Sequence, residues 1–572
     1  SMVEYYKDNL KTSGKKSQLD DFTKYTFSFS GLECRILGTF FREKSGKISL
    51  GADVENFYSA HNYVAYKPVG AVLEQIVNFR DGNSIPGNVT DVKIGKVRYS
   101  SSLRFQENQE IVSVYVNPQD FLGKRTALFG MTRTGKSNTV KKIIESTVKI
   151  SKSASSNLTI ANDDVVEMLD PFDKSGKPKF PVGQIIFDIN GEYANKNLQD
   201  EGTAIFDLYK DDTVRYSVLE KGDDFKVMKT NFYKNIEGGF ELIKSLLADE
   251  TSDYISSFCA ISLNKPEDPN DFGEKTRYER KVAAYKCCLK AAGFDPGNAK
   301  TVRFAGKKEF NELSGLDPSK GISLDDAIQW FSKVWEKYDD IRKKTPVGER
   351  EWADDDLKAL LVMLTKKSKP GGNANITGYR KLDKVRSLHS KESGASFEQD
   401  IIKLLRDVKI VVVDLSQGDP KIQRLYSERI CASVFADSMD RFVNTRPNNF
   451  IQFYFEEAHN LFPKKEDKDL SQIYNRIAKE GAKLNLGMIY ATQEVSSISS
   501  NILKNTQNWF IAHLNNDDEL KEIKKFYDFG DFCDSLIRYS AGSDKGFIRM
   551  KTYSNAFVVP VQIDRFLAKQ EG

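Results

Sequence analysis

One segment, residues 128–137, constrains this chain more than any other, because a short apolar run leads into the pattern G-x-x-x-x-G-K-S. In such a loop the backbone N–H groups surround the phosphates of a nucleotide, the lysine reaches the outer phosphates and the serine hydroxyl binds Mg²⁺. Apolar residues then recur at helical spacing, at Val140, Ile143 and Ile144. The segment therefore predicts a strand, a phosphate-binding loop and a helix, and ATP with Mg²⁺ as the ligands.

The residues of this loop are the predicted nucleotide-binding set: Gly130, Thr132, Arg133, Thr134, Gly135, Lys136, Ser137 and Asn138. Arg133 stands where many such loops have glycine, and a side chain is strained there if the backbone needs a positive φ. Two interpretations stay open. Either the loop carries some strain, or Arg133 adds a cation near the phosphates or near a neighbouring subunit.

Length and composition exclude several classes of protein. A chain of 572 residues is too long for one core and suggests about three domains. Its net charge of +4 is small, so any contact with nucleic acid must come from local placement of Lys and Arg. The six cysteines are scattered without a C-x-x-C pair, and no apolar run is long enough to span a membrane. We therefore expect a cytoplasmic protein without disulfides, a zinc site or a membrane segment.

Changes in pattern along the chain predict five parts. Residues 1–20 are polar and are expected to form a flexible tail. Residues 21–117 contain short β-type runs separated by Gly and Pro, which is typical of a small antiparallel β-barrel. Residues 118–217 and 401–572 alternate strands with helices and predict one parallel α/β sheet, while residues 218–400 are dominated by helical patterns and predict an insertion.

Polar residues at the ends of two apolar strands carry the predicted chemistry. Glu456 and Glu457 follow the apolar run 450–455, and Gln493 follows another. Hydrolysis of a phosphoanhydride needs a held metal and a positioned water. We predict that Glu457 activates the water, that Glu456 supports Mg²⁺ together with Ser137, and that Gln493 senses the γ-phosphate or holds the same water.

The histidines are less informative. His459 lies two residues after the acidic pair, where it is equally compatible with relaying the nucleotide state and with capping the next segment. The four histidines of the chain show no spacing typical of a metal site.

A GTPase is a competing interpretation of the same sequence. Residues 188–191 fit D-x-x-G, and residues 264–267 nearly fit N-K-x-D. However, Glu267 is one methylene longer than the aspartate that binds guanine, and a GTPase would leave Glu456 and Glu457 unexplained. ATP is therefore the predicted nucleotide.

Taken together, these motifs resemble the HerA branch of the HerA/FtsK ATPases. The motifs that carry the resemblance are, in order, residues 130–137, D-x-N-G-E-Y at 188–193, D-L-S at 414–416, F-E-E-A-H at 455–459, E-G-A-K at 480–483 and A-T-Q at 491–493. The resemblance implies a RecA-like P-loop ATPase core in a hexameric ring, with ATP between subunits and a central channel for duplex DNA. It also implies a partner, since relatives work with a nuclease or, in anti-phage systems, sit beside nucleases or sirtuin-type NADases.

Two positions bear on catalysis between subunits. Family members often have E-G-R-K where this chain has E-G-A-K at residues 480–483, with Ala482 in place of the arginine. Any role of that arginine in a neighbouring subunit's site must pass to Arg476, Lys479 or Lys483, or be absent. Arg125 matches a position where relatives carry an arginine that reaches into the neighbouring site. It is the leading candidate for a residue that makes hydrolysis depend on assembly.

Contact with DNA is predicted at Lys464, Lys465 and Lys468, which could neutralise phosphates in a channel. Glu466 and Asp467 interrupt this run, so a solvated charged loop is an equal alternative. The whole sequence thus predicts a ring-forming ATPase that translocates duplex DNA, assembles and activates a partner nuclease or NADase, or does both, in anti-phage defence. A scaffold that uses ATP without motor activity is the main alternative.

Overall fold

A computed structural model describes residues 36–51, 64, 66–80, 90–98, 110–156, 158, 170–196, 204–266, 268, 270–343, 351–392, 396–416, 420–467, 469, 471–514, 516–526 and 545–567. The predicted tail, residues 1–20, lies outside these ranges. Internal contacts divide the chain into two units, residues 1–67 and 68–572. In the first unit the described strands are β1 (Thr39–Arg42) and β2 (Ile48–Gly51), which pair antiparallel.

The second unit is built on a twelve-stranded sheet. Its strands are β3 (Val92–Val97), β4 (Ser113–Val116), β5 (Arg125–Phe129), β6 (Gly183–Asp188), β7 (Thr213–Ser217), β8 (Phe225–Val227), β11 (Ile410–Asp414), β12 (Ile451–Phe455), β13 (Leu486–Thr492), β14 (Asn508–Ile511), β15 (Phe547–Lys551) and β16 (Val559–Ile563). A separate short antiparallel pair is formed by β9 (Thr301–Val302) and β10 (Ile322–Ser323). The order across the large sheet is β4-β3-β16-β15-β14-β5-β13-β12-β6-β11-β7-β8.

Strands from β14 to β8 in this order run parallel, and those from β15 to β4 are antiparallel. The predicted α/β core with a parallel sheet is therefore confirmed. The predicted N-terminal barrel is not confirmed. In the described residues, β3 and β4 pair with each other and continue the large sheet through β16, so the hydrogen-bonding groups of β3 are used by the core.

Fourteen α-helices are described: α1 (Gly70–Val77), α2 (Lys136–Ser151), α3 (Ile205–Leu208), α4 (Ile236–Leu247), α5 (Asp253–Cys259), α6 (Phe272–Ala291), α7 (Lys308–Ser314), α8 (Leu324–Arg342), α9 (Asp355–Thr365), α10 (Phe397–Arg406), α11 (Pro420–Val443), α12 (Ile473–Glu480), α13 (Ser500–Lys504) and α14 (Asp517–Phe526). Side chains cap several of them, because the first N–H groups of a helix lack partners. Ser323, for example, accepts a hydrogen bond from Asp326 N at the start of α8.

The two faces of the sheet are covered differently. Helix α2 packs Ile143 and Ile144 on one face. Helices α4 to α10 lie between β8 and β11 in the sequence, and their apolar residues, such as Trp330 and Leu360, share one buried cluster with Phe187 on the other face. This buried cluster joins the helices to the sheet and marks no boundary between them. The boundaries predicted for a helical insertion, at residues 218 and 400, stay predictions. None of the described helices combines the length and apolar character needed to cross a bilayer.

Candidate nucleotide-binding site

The loop between β5 and α2 binds the side chain of its own lysine. Lys136 Nζ donates hydrogen bonds to the carbonyl oxygens of Gly130 and Met131, at 2.6 and 2.8 Å, and Thr134 Oγ1 donates to Met131 O at 2.8 Å. Gly135 has a φ of 100°, a conformation that favours glycine. In this structure the loop therefore holds the ammonium group of its lysine against backbone oxygens.

Residues from the end of the chain pack directly against this loop. Gly546 N donates to Thr134 O at 2.9 Å, and a Cβ added at Gly135 would lie 3.0 Å from Gly546 Cα. Asn138 Nδ2 donates to Asp564 O at 3.0 Å, and Asn138 Oδ1 accepts from Phe566 N at 2.8 Å. The amide of Asn138 thus holds the C-terminal segment. Its predicted role in binding nucleotide stays a prediction.

The predicted catalytic strand ends share the edge of the sheet where the loop lies. Phe129 is in register with Thr492, and Phe455 with both Tyr490 and Phe187, so parallel strands β5, β13, β12 and β6 end together. Gln493 Nε2 donates to Glu457 Oε1 at 3.2 Å. The structure therefore brings Lys136, Glu456, Glu457 and Gln493 to one crevice, as the carboxyl ends of parallel strands in open α/β sheets do.

Glu456 is buried beside the loop lysine. Burial raises the pKa of Glu456 to about 8, the hydrogen bond from the Tyr193 hydroxyl opposes this, and the negative charge of Glu192 adds to it. Burial also lowers the pKa of Lys136, while the charges of Glu456, Glu457 and Glu192 oppose that change. Three carboxylates therefore act on Lys136. Glu192 is one that sequence reasoning did not select, although it lies within the D-x-N-G-E-Y motif.

The raised pKa of Glu456 gives a pH-dependent prediction. A carboxyl group whose pKa is higher in the native state stabilises the fold fully below its unfolded value of about 4.5, and this stabilisation is lost as the pH rises through about 8. Glu456→Gln removes the titration but keeps an oxygen that can accept from Tyr193. We expect the melting temperature of the variant, measured without nucleotide, to rise relative to wild type between pH 5 and pH 8. A constant difference over this range would contradict the prediction.

Glu457 has an unsatisfied oxygen in a strained backbone position. Its φ is 44°, a left-handed conformation that costs energy for a residue with a side chain. Oε1 accepts from Gln493, while Oε2 is buried without a hydrogen-bond partner and lies 3.5 Å from His459 Nδ1. His459 Nδ1 is itself 2.9 Å from Thr492 Oγ1. An unpaired buried acceptor next to the loop is the group that a water molecule or a ligand would satisfy.

The oxygen donors at this edge fit Mg²⁺. In the described residues no group of three or more His, Cys, Asp or Glu side chains could by itself hold a metal ion. Mg²⁺ bound with a nucleotide, however, uses one or two protein oxygens and completes its shell with phosphates and water. Ser137 at the start of α2 and Glu456 supply such donors.

Asp188 organises the loop that follows β6. Its Oδ1 accepts hydrogen bonds from the N–H groups of Gly191 and Glu192, at 2.8 and 3.0 Å, and its Oδ2 accepts from those of Tyr193 and Ala194, at 2.9 and 2.8 Å. The side chain is fully buried. These four bonds fix the segment that carries Glu192 and Tyr193 toward Lys136 and Glu456.

We expect Asp188→Asn to destabilise the protein by about 2–4 kcal/mol, because the new NH₂ group would leave two buried N–H groups without an acceptor. Urea unfolding measures this loss. Asp173→Asn is a control: Asp173 also accepts hydrogen bonds from backbone N–H groups, but in an exposed turn. Equal losses for the two variants would show that the buried loop is not the cause.

Arg125 and Lys464 have other partners in the structure. Arg125 is 5% exposed and donates to Asn505 O and Gly123 O at the start of β5, the end of the strand away from the loop. A reach into a neighbouring subunit would break both bonds, and the role of Arg125 between subunits stays a prediction. Lys464 forms an ion pair with Glu522 at 3.0 Å, Lys465 is exposed, and Lys468 lies outside the described residues. The alternative candidates Lys479 and Lys483 are exposed, and Arg476 packs over the Phe435 ring.

Arg133 has the positive φ that its position predicts. Its φ is 65° and its side chain is exposed. A left-handed conformation costs about 1–2 kcal/mol for a residue with a Cβ, and glycine avoids this cost. Part of the gain is lost because glycine also raises the conformational entropy of the unfolded chain. We expect Arg133→Gly to raise the free energy of unfolding by up to about 1 kcal/mol, measured by urea denaturation, with nucleotide affinity unchanged. A tenfold fall in affinity would instead favour a cation that contacts the phosphates.

Comparison with known proteins gives one family match. The family model described as "Helicase HerA, central domain" matches residues 92–161, from β3 through the loop and α2. No curated protein matches significantly.

Several solved structures are similar at low identity. VirB4 of Thermoanaerobacter pseudethanolicus is 13% identical with a TM-score of 0.37, covering 83% of this chain and 96% of VirB4. The bacterial conjugative coupling protein TrwB is 9% identical with a TM-score of 0.36, covering 84% of this chain and 96% of that one. The genome packaging NTPase B204 from Sulfolobus turreted icosahedral virus 2, in complex with ATP-gammaS, is 14% identical with a TM-score of 0.23, covering 30% and 72%. Because these TM-scores are below 0.5, we draw no conclusion about this chain from the three structures.

Proposed function

We propose that this chain, a HerA-like member of the HerA/FtsK P-loop ATPases, hydrolyses ATP at the crevice between the phosphate loop and the ends of β12 and β13. One observation carries the proposal: Glu457, with one oxygen bound by Gln493 and the other unpaired, lies at the same sheet edge as Lys136. An acid, an amide and a cation so arranged are the groups that in-line attack of water on a γ-phosphate requires.

Each side chain has a distinct part in this mechanism. Lys136 exchanges its hydrogen bonds to Gly130 O and Met131 O for stronger, charge-assisted ones to the outer phosphates. Glu457 accepts a proton from the attacking water, and Gln493 orients Glu457 or the water. Ser137 and Glu456 would hold Mg²⁺, which neutralises charge on the phosphates when bound.

The nucleotide preference tests this function against a GTPase. The D-x-x-G aspartate, Asp188, already has both oxygens bonded to backbone N–H groups. Glu267 of the near N-K-x-D motif lies outside the described residues. We expect turnover of ATP, measured as released phosphate with Mg²⁺, to exceed that of GTP by at least tenfold. A clear preference for GTP would defeat the proposal.

The larger assembly is proposed as a hexameric ring with ATP at subunit interfaces. In this ring the chain translocates duplex DNA, or assembles and activates a partner nuclease or sirtuin-type NADase in anti-phage defence. A small net charge of +4 and the pairing of Lys464 with Glu522 favour the second of these roles. Lys465 is the described lysine of the predicted set that is exposed for phosphate contact.

A scaffold that uses ATP as a signal is therefore the second candidate function. Phosphate release, measured with and without linear duplex DNA, distinguishes this scaffold from a DNA motor. The measurement is made at 50 and at 200 mM salt, because contacts to DNA phosphates weaken with salt. A motor predicts stimulation by DNA that falls with salt and is reduced in Lys465→Ala. A scaffold predicts no stimulation at either concentration.

A further inference from the structure

Tyr193 is a fully buried tyrosine that connects two strands at the site. It lies five residues after the end of β6, and its hydroxyl donates a hydrogen bond to Glu456 Oε1 at the end of β12. A hydrogen bond in a protein interior is electrostatically stronger than one in water, so a hydroxyl donor restricts the orientation of the buried carboxyl group that accepts from it. Rotation of Glu456 would leave both the hydroxyl and the carboxylate oxygen unsatisfied.

The position of Tyr193 is determined from several directions. Its own N–H donates to Asp188 Oδ2 at 2.9 Å, which ties the residue to the end of β6. The centroid of its ring lies 5.5 Å from Lys141 Nζ on α2, the helix that begins with Lys136. Asn195, two residues later, donates to Gly191 O at 3.1 Å and so closes the same loop. The hydroxyl is thus presented to Glu456 by a preformed loop.

From this geometry we infer that Tyr193 is a positioning residue for Mg²⁺-dependent nucleotide binding, since its hydroxyl holds one oxygen of Glu456 and leaves the other for the metal shell. The inference rests on the proposed function, because it requires Mg²⁺ and nucleotide at this crevice. Groups that orient a metal ligand typically change metal affinity by 10–100-fold when they are removed. Tyr193 itself contacts neither the nucleotide nor the reacting atoms.

The test is Tyr193→Phe, which keeps the buried ring and removes only the hydroxyl. Tyr454→Phe is a matched control. Tyr454 is 1% exposed and lies on β12, and its hydroxyl donates a hydrogen bond to a buried side-chain oxygen, Gln184 Oε1, at 2.6 Å. The equilibrium Kd for a fluorescent, non-hydrolysable ATP analogue is measured with Mg²⁺ and with EDTA. Melting temperatures of both variants without nucleotide establish that each is folded.

We expect Tyr193→Phe to weaken binding about tenfold in Mg²⁺ and less than twofold in EDTA, and Tyr454→Phe to change neither value. An equal loss in Mg²⁺ and EDTA would show a merely structural role and overturn the inference. So would unchanged binding in Mg²⁺. If wild type itself does not bind the analogue, or binds equally in Mg²⁺ and EDTA, the proposed function fails instead.

A double-mutant cycle adds a second readout that does not depend on turnover. If Tyr193 acts through Glu456, then adding Tyr193→Phe to Glu456→Gln should weaken Mg²⁺-dependent binding less than twofold further. Additive losses in the double variant would mean that Tyr193 acts by another route, and would contradict the inference.

Discussion

Glu457→Gln is expected to lower kcat for ATP hydrolysis by 10²–10⁴-fold while leaving ATP bound with an affinity within threefold of wild type. Glutamine keeps the size of the side chain and can still contact Gln493, but it cannot accept the proton of the attacking water. Because Lys136 and the loop are untouched, ground-state binding should persist. The measurements are steady-state phosphate release at saturating ATP, which gives kcat, and nucleotide affinity.

The control for this variant is Glu494→Gln. Glu494 lies directly after Gln493, is exposed and accepts from Ser497 Oγ, so its charge is lost without entering the crevice. It should keep kcat within twofold. Undiminished turnover in Glu457→Gln would remove Glu457 from the mechanism, and a similar loss in Glu494→Gln would point to net charge rather than to proton transfer.

Lys136→Ala is expected to weaken ATP binding about 100-fold, and turnover with it. This corresponds to two charge-assisted hydrogen bonds to phosphate at about 1.5 kcal/mol each. The variant also frees Gly130 O and Met131 O, but both can be satisfied by water once the side chain is gone. Isothermal titration with a non-hydrolysable ATP analogue and Mg²⁺ measures the change.

A lysine on the same helix provides the comparison. Lys142 forms an ion pair with Glu145 at 2.6 Å on α2, so Lys142→Ala removes a charge of the same sign from the same helix. It should change ATP affinity less than threefold. Affinity retained in Lys136→Ala would mean that the loop does not bind phosphate and would contradict the proposed site.

The sequence predicted the crevice because its parts carry local patterns. An apolar strand followed by G-x-x-x-x-G-K-S, and a second one followed by Glu456 and Glu457, need no knowledge of distant residues. In a parallel sheet every strand then delivers its carboxyl end to the same edge, so the two motifs had to meet if the strands were parallel. The register of β5, β13 and β12 has this arrangement.

Long-range contacts left no such local pattern. Tyr193 and Glu456 are 263 positions apart, and Lys464 and Glu522 are 58 apart, so neither pair can be read from periodicity. Asn138 follows the loop serine, and the partners of its side chain, Asp564 and Phe566, are 426 and 428 residues away. The predicted barrel, which is not confirmed, also depended on local patterns alone. Short strands such as Val92–Val97 have the same local pattern whether they close a barrel or extend a sheet.

The contact between Gly546, residues 564–566 and the phosphate loop has a consequence for biosynthesis. The ribosome makes Thr134 and Asn138 more than 400 residues before their partners emerge. Throughout that interval a nascent chain carries a nucleotide loop without its lateral supports. A chain released early, before residue 546, should therefore bind ATP poorly even with every motif of the crevice present, which couples ATP use to completed translation of this segment.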